Sequence, residues 1–369
     1  MNWSTNSWQK FTAIHMPKYN EDIDDIKRQL SAKDGIVAPD SINAFKQRLC
    51  GGGFIVQMGE CAETFANATD DDINNRINFI EEFCNLLPVD NIIKIGRIAG
   101  QYSKPRSEDF EEVNGEKIPV YKGDMFHDYT LRQLDPKRML LAYEASKKSY
   151  EIILQSAKPI LTSHEALNLH YEEAMTRLCE DNKYYNVSAH MLWLGEKTRF
   201  RASAHVEYLR GIENPIGIKV SHKIEIGDLI EIIKLLNPQN KLGKIILISR
   251  MGVKHTPIFL ENILSAVKNA GLHVVWTADP MHGNTYKNEN NYKTRNLADI
   301  ITEISDFAEI LAKNGVKFGG IHLENSPNDI YECVGDVKEL GTKYETLCDP
   351  RLNKEQSFAI AELLAKLIK

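Results

Sequence analysis

Eight short, almost uninterrupted apolar runs recur along this chain from residue 54 onward, and few folds accommodate them. They read FIVQM (54–58), IIKIG (92–96), KPILT (158–162), HMLWL (190–194), IGIKV (216–220), KIILIS (244–249), LHVVWT (272–277) and GGIHL (319–323). Each has the length of a strand. Most lack the apolar/polar alternation of a half-exposed strand, as expected of parallel strands covered on both faces. Segments of helical period at 73–87, 228–236, 257–270 and 296–313 separate several of them, so β and α units alternate. Eight such units over about 300 residues predict an α/β chain closed into a (β/α)8 TIM barrel rather than an open doubly wound sheet.

Residues 1–50 are polar, with short helices predicted near 22–31 and 39–49, the second opened by Pro39-Asp40 and closed by Gly51-Gly52-Gly53. They read as an N-terminal extension, which leaves 51–369 as the barrel catalytic domain. The gap between the second and third strands holds an insertion, with a hairpin expected around Asn114-Gly115 and a long helix at 137–155. The net charge of −6 comes from 51 acidic and 45 basic residues spread through the chain, so no basic stripe offers a footprint for nucleic acid. No stretch approaches the ~20 apolar residues of a membrane helix, and the N-terminal residues hold no apolar h-region. A cytoplasmic protein without a membrane partner is expected. Six cysteines with no C-x-x-C read as reduced thiols.

The residues at the C-terminal end of each strand carry the chemistry. These strand ends bring Glu60-Cys61, Arg97, Ser163-His164-Glu165, Glu196-Lys197, Lys219, Arg250, Asp279 with His282, and Glu324. In an eight-fold barrel these positions converge on one pocket, at the face built from the strand-to-helix loops. A single charged residue after a strand is ordinarily a helix cap or a surface group; polar ends on eight successive strands are harder to dismiss. Arg97, Lys104, Arg106, Lys197, Lys219, Arg250 and Arg295 give that pocket a positive field suited to phosphate and carboxylate, or else enter structural ion pairs. Cys61, His282, Glu324 and Asp349 form a second set, a thiolate, an imidazole and two carboxylates. Their mixed character suits a first-row divalent ion such as Mn2+, Fe2+, Co2+ or Zn2+, although no short metal motif is present and a lone cysteine is ordinarily a small buried hydrophobe.

Ten blocks, in order and spanning most of the chain, resemble the signature of class II (plant-type) 3-deoxy-D-arabino-heptulosonate 7-phosphate (DAHP) synthases. They are GECAETF (59–65), KIGRIAGQYSKPRS (94–107), TSHEALNLHYEEAMTR (162–177), LWLGEKTR (192–199), NPIGIKV (214–220), ISRMG (248–252), DPMHGNT (279–285), KTR (293–295), GGIHLE (319–324) and YETLCDPRLN (344–353). The resemblance implies the (β/α)8 fold and a divalent metal, Mn2+ foremost, held by Cys61, His282, Glu324 and Asp349. It implies a phosphoenolpyruvate site of Arg97, Glu196, Lys197, Lys219 and Arg250, and a sugar-phosphate site of Lys104, Arg106, Ser107 and Arg295. The implied reaction joins phosphoenolpyruvate to D-erythrose 4-phosphate, the first step of the shikimate pathway of aromatic biosynthesis. In it Lys219 and His282 move protons and Glu196 positions the attacking water. A homo-oligomer, dimer or tetramer, is the expected assembly.

Several residues depart from the family pattern. Met58 and Glu60 stand where Gly and Asp are usual, Lys197 replaces an Arg, and Arg201-Ala202-Ser203 replaces Leu-Asp-Gly. Ala278 replaces a Cys, and Asn325-Ser326-Pro327 alters the segment after Glu324. Arg to Lys at a phosphate contact loses the bidentate fork. Another aldose phosphate acceptor, such as an amino or imino sugar phosphate, therefore stays open, as does a non-catalytic barrel acting as a regulatory partner. Cys348 directly precedes Asp349, so a disulfide between Cys61 and Cys348 in metal-free protein is a further expectation.

Overall fold

The structure is a computed structural model and describes residues 3–19, 23–113, 115–335 and 343–368. Eight parallel strands close a barrel in sequence order: β1 Phe54–Gly59, β2 Ile92–Arg97, β3 Leu161–Glu165, β4 Met191–Leu194, β5 Ile216–Val220, β6 Ile245–Ser249, β7 Val275–Ala278 and β8 Phe318–Glu324. β1 pairs with both β2 and β8, through Gly59↔Arg97 and Gly59↔Glu324, which closes the ring.

All eight predicted runs become strands, and the differences in their bounds have local causes. β3 starts after Pro159, which has no N–H for a ladder, and continues through Ser163, His164 and Glu165. β7 begins at Val275 because the His273 N–H is already given to Asn240 Oδ1 (2.8 Å). The helix expected at 73–87 is Asp70–Cys84: Thr69 Oγ1 caps it by accepting from Asp72 N (3.2 Å), and three acidic residues fill its first turn. Its apolar period starts only at Ile73, later than the helix itself. Arg138–Gln155, Ile226–Leu236, Thr256–Asn269 and Leu297–Lys313 lie within two residues of expectation. The C-terminal helix Lys354–Leu367, with its Asn353/Gln356 capping box, is not among the helices expected from periodicity.

Within the insertion, Phe110–Val113 pairs antiparallel with Glu116–Pro119; Asn114 lies outside the described residues, and Gly115 has φ +81°. Of the two N-terminal helices, Asp24–Ser31 and Pro39–Cys50 are observed, residue 22 lying outside the described residues. Phe45 and Leu49 of the second join Ile55, Ile93, Ile95, Met191, Trp193, Ile246 and Ile248 in one cluster. That helix therefore packs against the apolar end of the barrel.

Side chains alternate between the two faces of a strand, so each barrel strand turns one residue in two inward. Toward the C-terminal ends these become Gln57, Arg97, Ser163, Lys219, His322 and Glu324, all buried. A buried polar layer is tolerable only if its members satisfy one another, and these do so except at Arg97 Nε, which lacks a hydrogen-bond partner among the described residues.

Candidate active site

His322 stands at the centre of this layer. Its Nδ1 lies 2.6 Å from Gln57 Oε1, and Gln57 Nε2 donates to Ser163 Oγ (2.9 Å). An amide oxygen only accepts, so Nδ1 carries the proton and Nε2 accepts from Arg97 Nη1 (2.7 Å) and Lys219 Nζ (2.8 Å). Burial and the neighbouring Lys219 charge hold His322 well below the usual histidine range, in keeping with a neutral ring. Lys219 also donates to Asp279 Oδ2 (2.5 Å), and burial pulls its pKa down to about 8. Trp193 floors both cations, with Arg97 5.3 Å and Lys219 5.8 Å from its ring centroid.

The four candidate ligands converge. Donor atoms of Cys61, Glu324 and Asp349 all lie within 4.8 Å of one another, and His282 Nε2 is 3.0 Å from Glu324 Oε1. Asp279 receives His282 Nδ1 at 2.8 Å, which directs Nε2 toward Glu324. Although burial opposes it, neighbouring basic side chains hold three carboxylates well below the usual range: His282 and Lys219 for Asp279, His282 and Lys104 for Glu324, Lys104 and Lys293 for Asp349. The Lys104 ammonium sits among the donors, bonded to Cys61 Sγ and to Asp349 Oδ2 (2.5 Å) and 3.6 Å from Glu324 Oε1. Two carboxylates and a thiol gathered around a cation, beside an imidazole oriented from behind, fit a divalent ion of intermediate softness.

Beside this set opens a cavity of about 240 Å3. Cys61, His282, Asp349, Arg97, Lys104, Arg106, Ser107, Glu196, Lys197, Lys219 and Arg250 all line it. Lys197 Nζ donates to Ser107 Oγ (2.7 Å), and burial with the nearby Lys104 charge lowers its pKa to about 8. Arg106 Nη1 donates to Tyr121 O (2.6 Å). Glu196 pairs with Arg250 and accepts from Ser221 Oγ, so its carboxylate is occupied. Glu324 lies fully buried behind the wall, bonded to Arg97 (3.0 Å) and Arg295 (2.6 Å).

Arg295 is the one assigned substrate residue not brought to the cavity wall. It is fully buried, with its guanidinium given to Glu324, Thr285 Oγ1 (2.8 Å) and Pro350 O. From the same KTR block, Lys293 lines the cavity instead and pairs with Asp349 Oδ1 (2.9 Å). The Arg201-Ala202-Ser203 stretch is not at the cavity wall either: Arg201 pairs with Asp228 and Glu231, and Ser203 Oγ caps the helix Ala204–Leu209. Glu165 also lines the cavity, with Oε1 lacking a hydrogen-bond partner; burial raises its pKa. Gln57 and His322 could have been found in the sequence as polar residues inside apolar runs, at inward positions of a period-two strand.

A closed (β/α)8 barrel with a cation-rich cavity at the C-terminal ends of its strands has the architecture of a barrel enzyme whose active-site face carries positive charge. Residues 3–160 and 154–365 match the model of the Class-II DAHP synthetase family. Proteins named phospho-2-dehydro-3-deoxyheptonate aldolase from Neurospora crassa and Streptomyces coelicolor are each 31% identical to the chain, with 98% and 99% of it aligned to 94% and 97% of theirs. A protein of that name from Mycolicibacterium smegmatis is 32% identical over 97% of the chain and 93% of its own length. The chain belongs to the class-II DAHP synthetase family.

Proposed function

We propose that this chain condenses phosphoenolpyruvate with D-erythrose 4-phosphate and water to give 3-deoxy-D-arabino-heptulosonate 7-phosphate and phosphate, and that it needs a divalent metal. The observation that carries this reading is one cavity that joins the Cys61, His282 and Asp349 donors, with Glu324 directly behind its wall, to a bed of cations. A divalent ion held by those four residues would supply Lewis-acid polarisation of the acceptor aldehyde, Mn2+ being foremost and Co2+, Fe2+ and Zn2+ also suited to the donors.

The protein's own groups bind, orient and move protons. Arg97, Lys197, Lys219 and Arg250 hold the phosphate and carboxylate of phosphoenolpyruvate, and Glu196 keeps Arg250 in place. Lys104, Arg106 and Ser107 receive the acceptor's phosphate end, while Lys293 lies beside Asp349. As the enol carbon bonds to the aldehyde carbon, the new alkoxide takes the proton of Lys219 Nζ, whose pKa near 8 suits transfer at neutral pH. Water adds at the cationic carbon left behind and gives its proton to Glu165 Oε1, the carboxylate oxygen without a partner. Collapse of that adduct to the ketone expels phosphate, which takes the adduct's hydroxyl proton, into the same cationic bed. Exchange with solvent then returns a proton to Lys219 and removes one from Glu165.

The test is phosphoenolpyruvate consumption by metal-loaded protein across a panel of aldose phosphates and an amino sugar phosphate. Erythrose 4-phosphate is expected to give the highest kcat/KM. Preference for another member would transfer the chemistry to that acceptor, an outcome with a structural motive in Lys197, which offers Ser107 a single-point donor. Consumption with none would overturn the reading.

A further inference from the structure

Arg250 and His282 stand on the loops after β6 and β7, and those loops touch backbone to backbone. A Cβ on Gly252 would lie 2.6 Å from Gly283 O, and one on Gly283 only 2.2 Å from Gly252 N. Beneath this contact lies Glu303, 2% exposed, on the helix Leu297–Lys313. Its Oε1 accepts from Gly252 N (2.9 Å) on the first loop and from Thr256 Oγ1 (3.0 Å) at the start of the helix that follows it, and its Oε2 from Asn284 Nδ2 (2.7 Å) on the second loop. Asn284 completes the lacing by accepting from Val253 N (2.9 Å) and donating to Pro280 O (2.8 Å).

We propose that Glu303 is a positioning residue, whose carboxylate sets the distance between the phosphate-gripping Arg250 and the metal-holding His282. The inference rests on the roles proposed for those two residues. A carboxylate held by neutral donors is an expensive way to join two loops: burial raises its pKa to about 7. Local costs of this kind persist where function requires them. Only an ionised carboxylate accepts at both oxygens. In E303Q an amide nitrogen would face Asn284 Nδ2, donor against donor. Turning the Asn284 amide to relieve that would oppose like groups at Val253 N and Pro280 O. The loops would then shift relative to each other while the barrel beneath stays intact.

E303Q and E303D test this, read by melting temperature at pH 8, Mn2+ affinity, phosphoenolpyruvate affinity by titration calorimetry, and kcat. Removing a buried charge should leave the melting temperature of E303Q at or above the parent's. Its Mn2+ and phosphoenolpyruvate affinities should fall together, with kcat/KM lower by about 10–100-fold. E303D keeps the charge but is one methylene too short to reach both loops, and is expected to lose activity alike. A lowered melting temperature with parental affinities and kcat in E303Q would make Glu303 merely structural and overturn the proposal, as would parental kinetics in E303D. Affinities are read without turnover, so an inactive parent would count against the proposed reaction and leave the positioning role measurable.

Discussion

Arg295 Nη2 lies 2.6 Å from Glu324 Oε2, and both side chains are fully buried. In a barrel whose cavity is lined by cations, this arginine holds the Glu324 carboxylate and is not among the cavity-lining residues. Without Arg295, Glu324 keeps Arg97 and the more distant Lys104, so the cost stays below about 3–5 kcal/mol, the cost of leaving a buried charge wholly uncompensated. R295M should therefore melt lower and bind Mn2+ about 10–100-fold more weakly. With metal saturating, its KM for the aldose phosphate should match the parent's. A raised acceptor KM at unchanged Mn2+ affinity would return Arg295 to the substrate site.

Cys61 and His282 sit at strand ends and contribute little to the apolar core. C61A and H282A are each expected to abolish metal binding and turnover while circular dichroism and melting temperature stay near the parent's. Near-normal activity in either, after chelation and return of metal, would remove that residue from the ligand set.

Lys219 is buried with its pKa lowered to about 8. Its ammonium form is the one that grips an anion, and that form is lost as pH rises through the pKa. In the free enzyme, kcat/KM for phosphoenolpyruvate should thus fall above about pH 8. K219R stays charged and should lose the share of this limb that Lys219 contributes, along with proton transfer, while Lys197, its pKa also lowered to about 8, keeps its own share. K219A should lose the charge-assisted contact, worth about 1.5–3 kcal/mol. An alkaline limb unchanged in K219R would assign it to Lys197 alone.

Cys61 and Cys348 share one small buried cluster with Tyr121. In metal-free protein treated with hydrogen peroxide, the two thiols are expected to give up two electrons and two protons, forming a disulfide and two waters. Activity should then return only with reductant and metal together, whereas oxidised C348S should need metal alone. Peptide maps with both cysteines free would exclude the bridge.

Much of this architecture was legible because β strands covered on both faces leave continuous apolar runs, and all eight appear. Polar strand ends were less legible: Ser163, His164 and Glu165 read as the polar end beyond the third apolar run but are part of β3 itself, since a composition signal fades where inward residues are polar. Lys293 and Arg295 show the limit for the site. Two residues apart in one block, they face different surroundings, and only packing decides which reaches the cavity. Glu303 left no trace as a site residue because its partners, Gly252 and Asn284, come together only when the loops touch.

The most direct measurement tracks phosphoenolpyruvate, phosphate and the seven-carbon product together in metal-stripped protein given erythrose 4-phosphate, before and after Mn2+ is returned. Stripped protein should be silent, and reloaded protein should consume one phosphoenolpyruvate for each phosphate released and each 3-deoxy-D-arabino-heptulosonate 7-phosphate formed. Equal turnover with and without metal, or phosphate release without a seven-carbon acid, would contradict a metal-dependent condensation in this cavity.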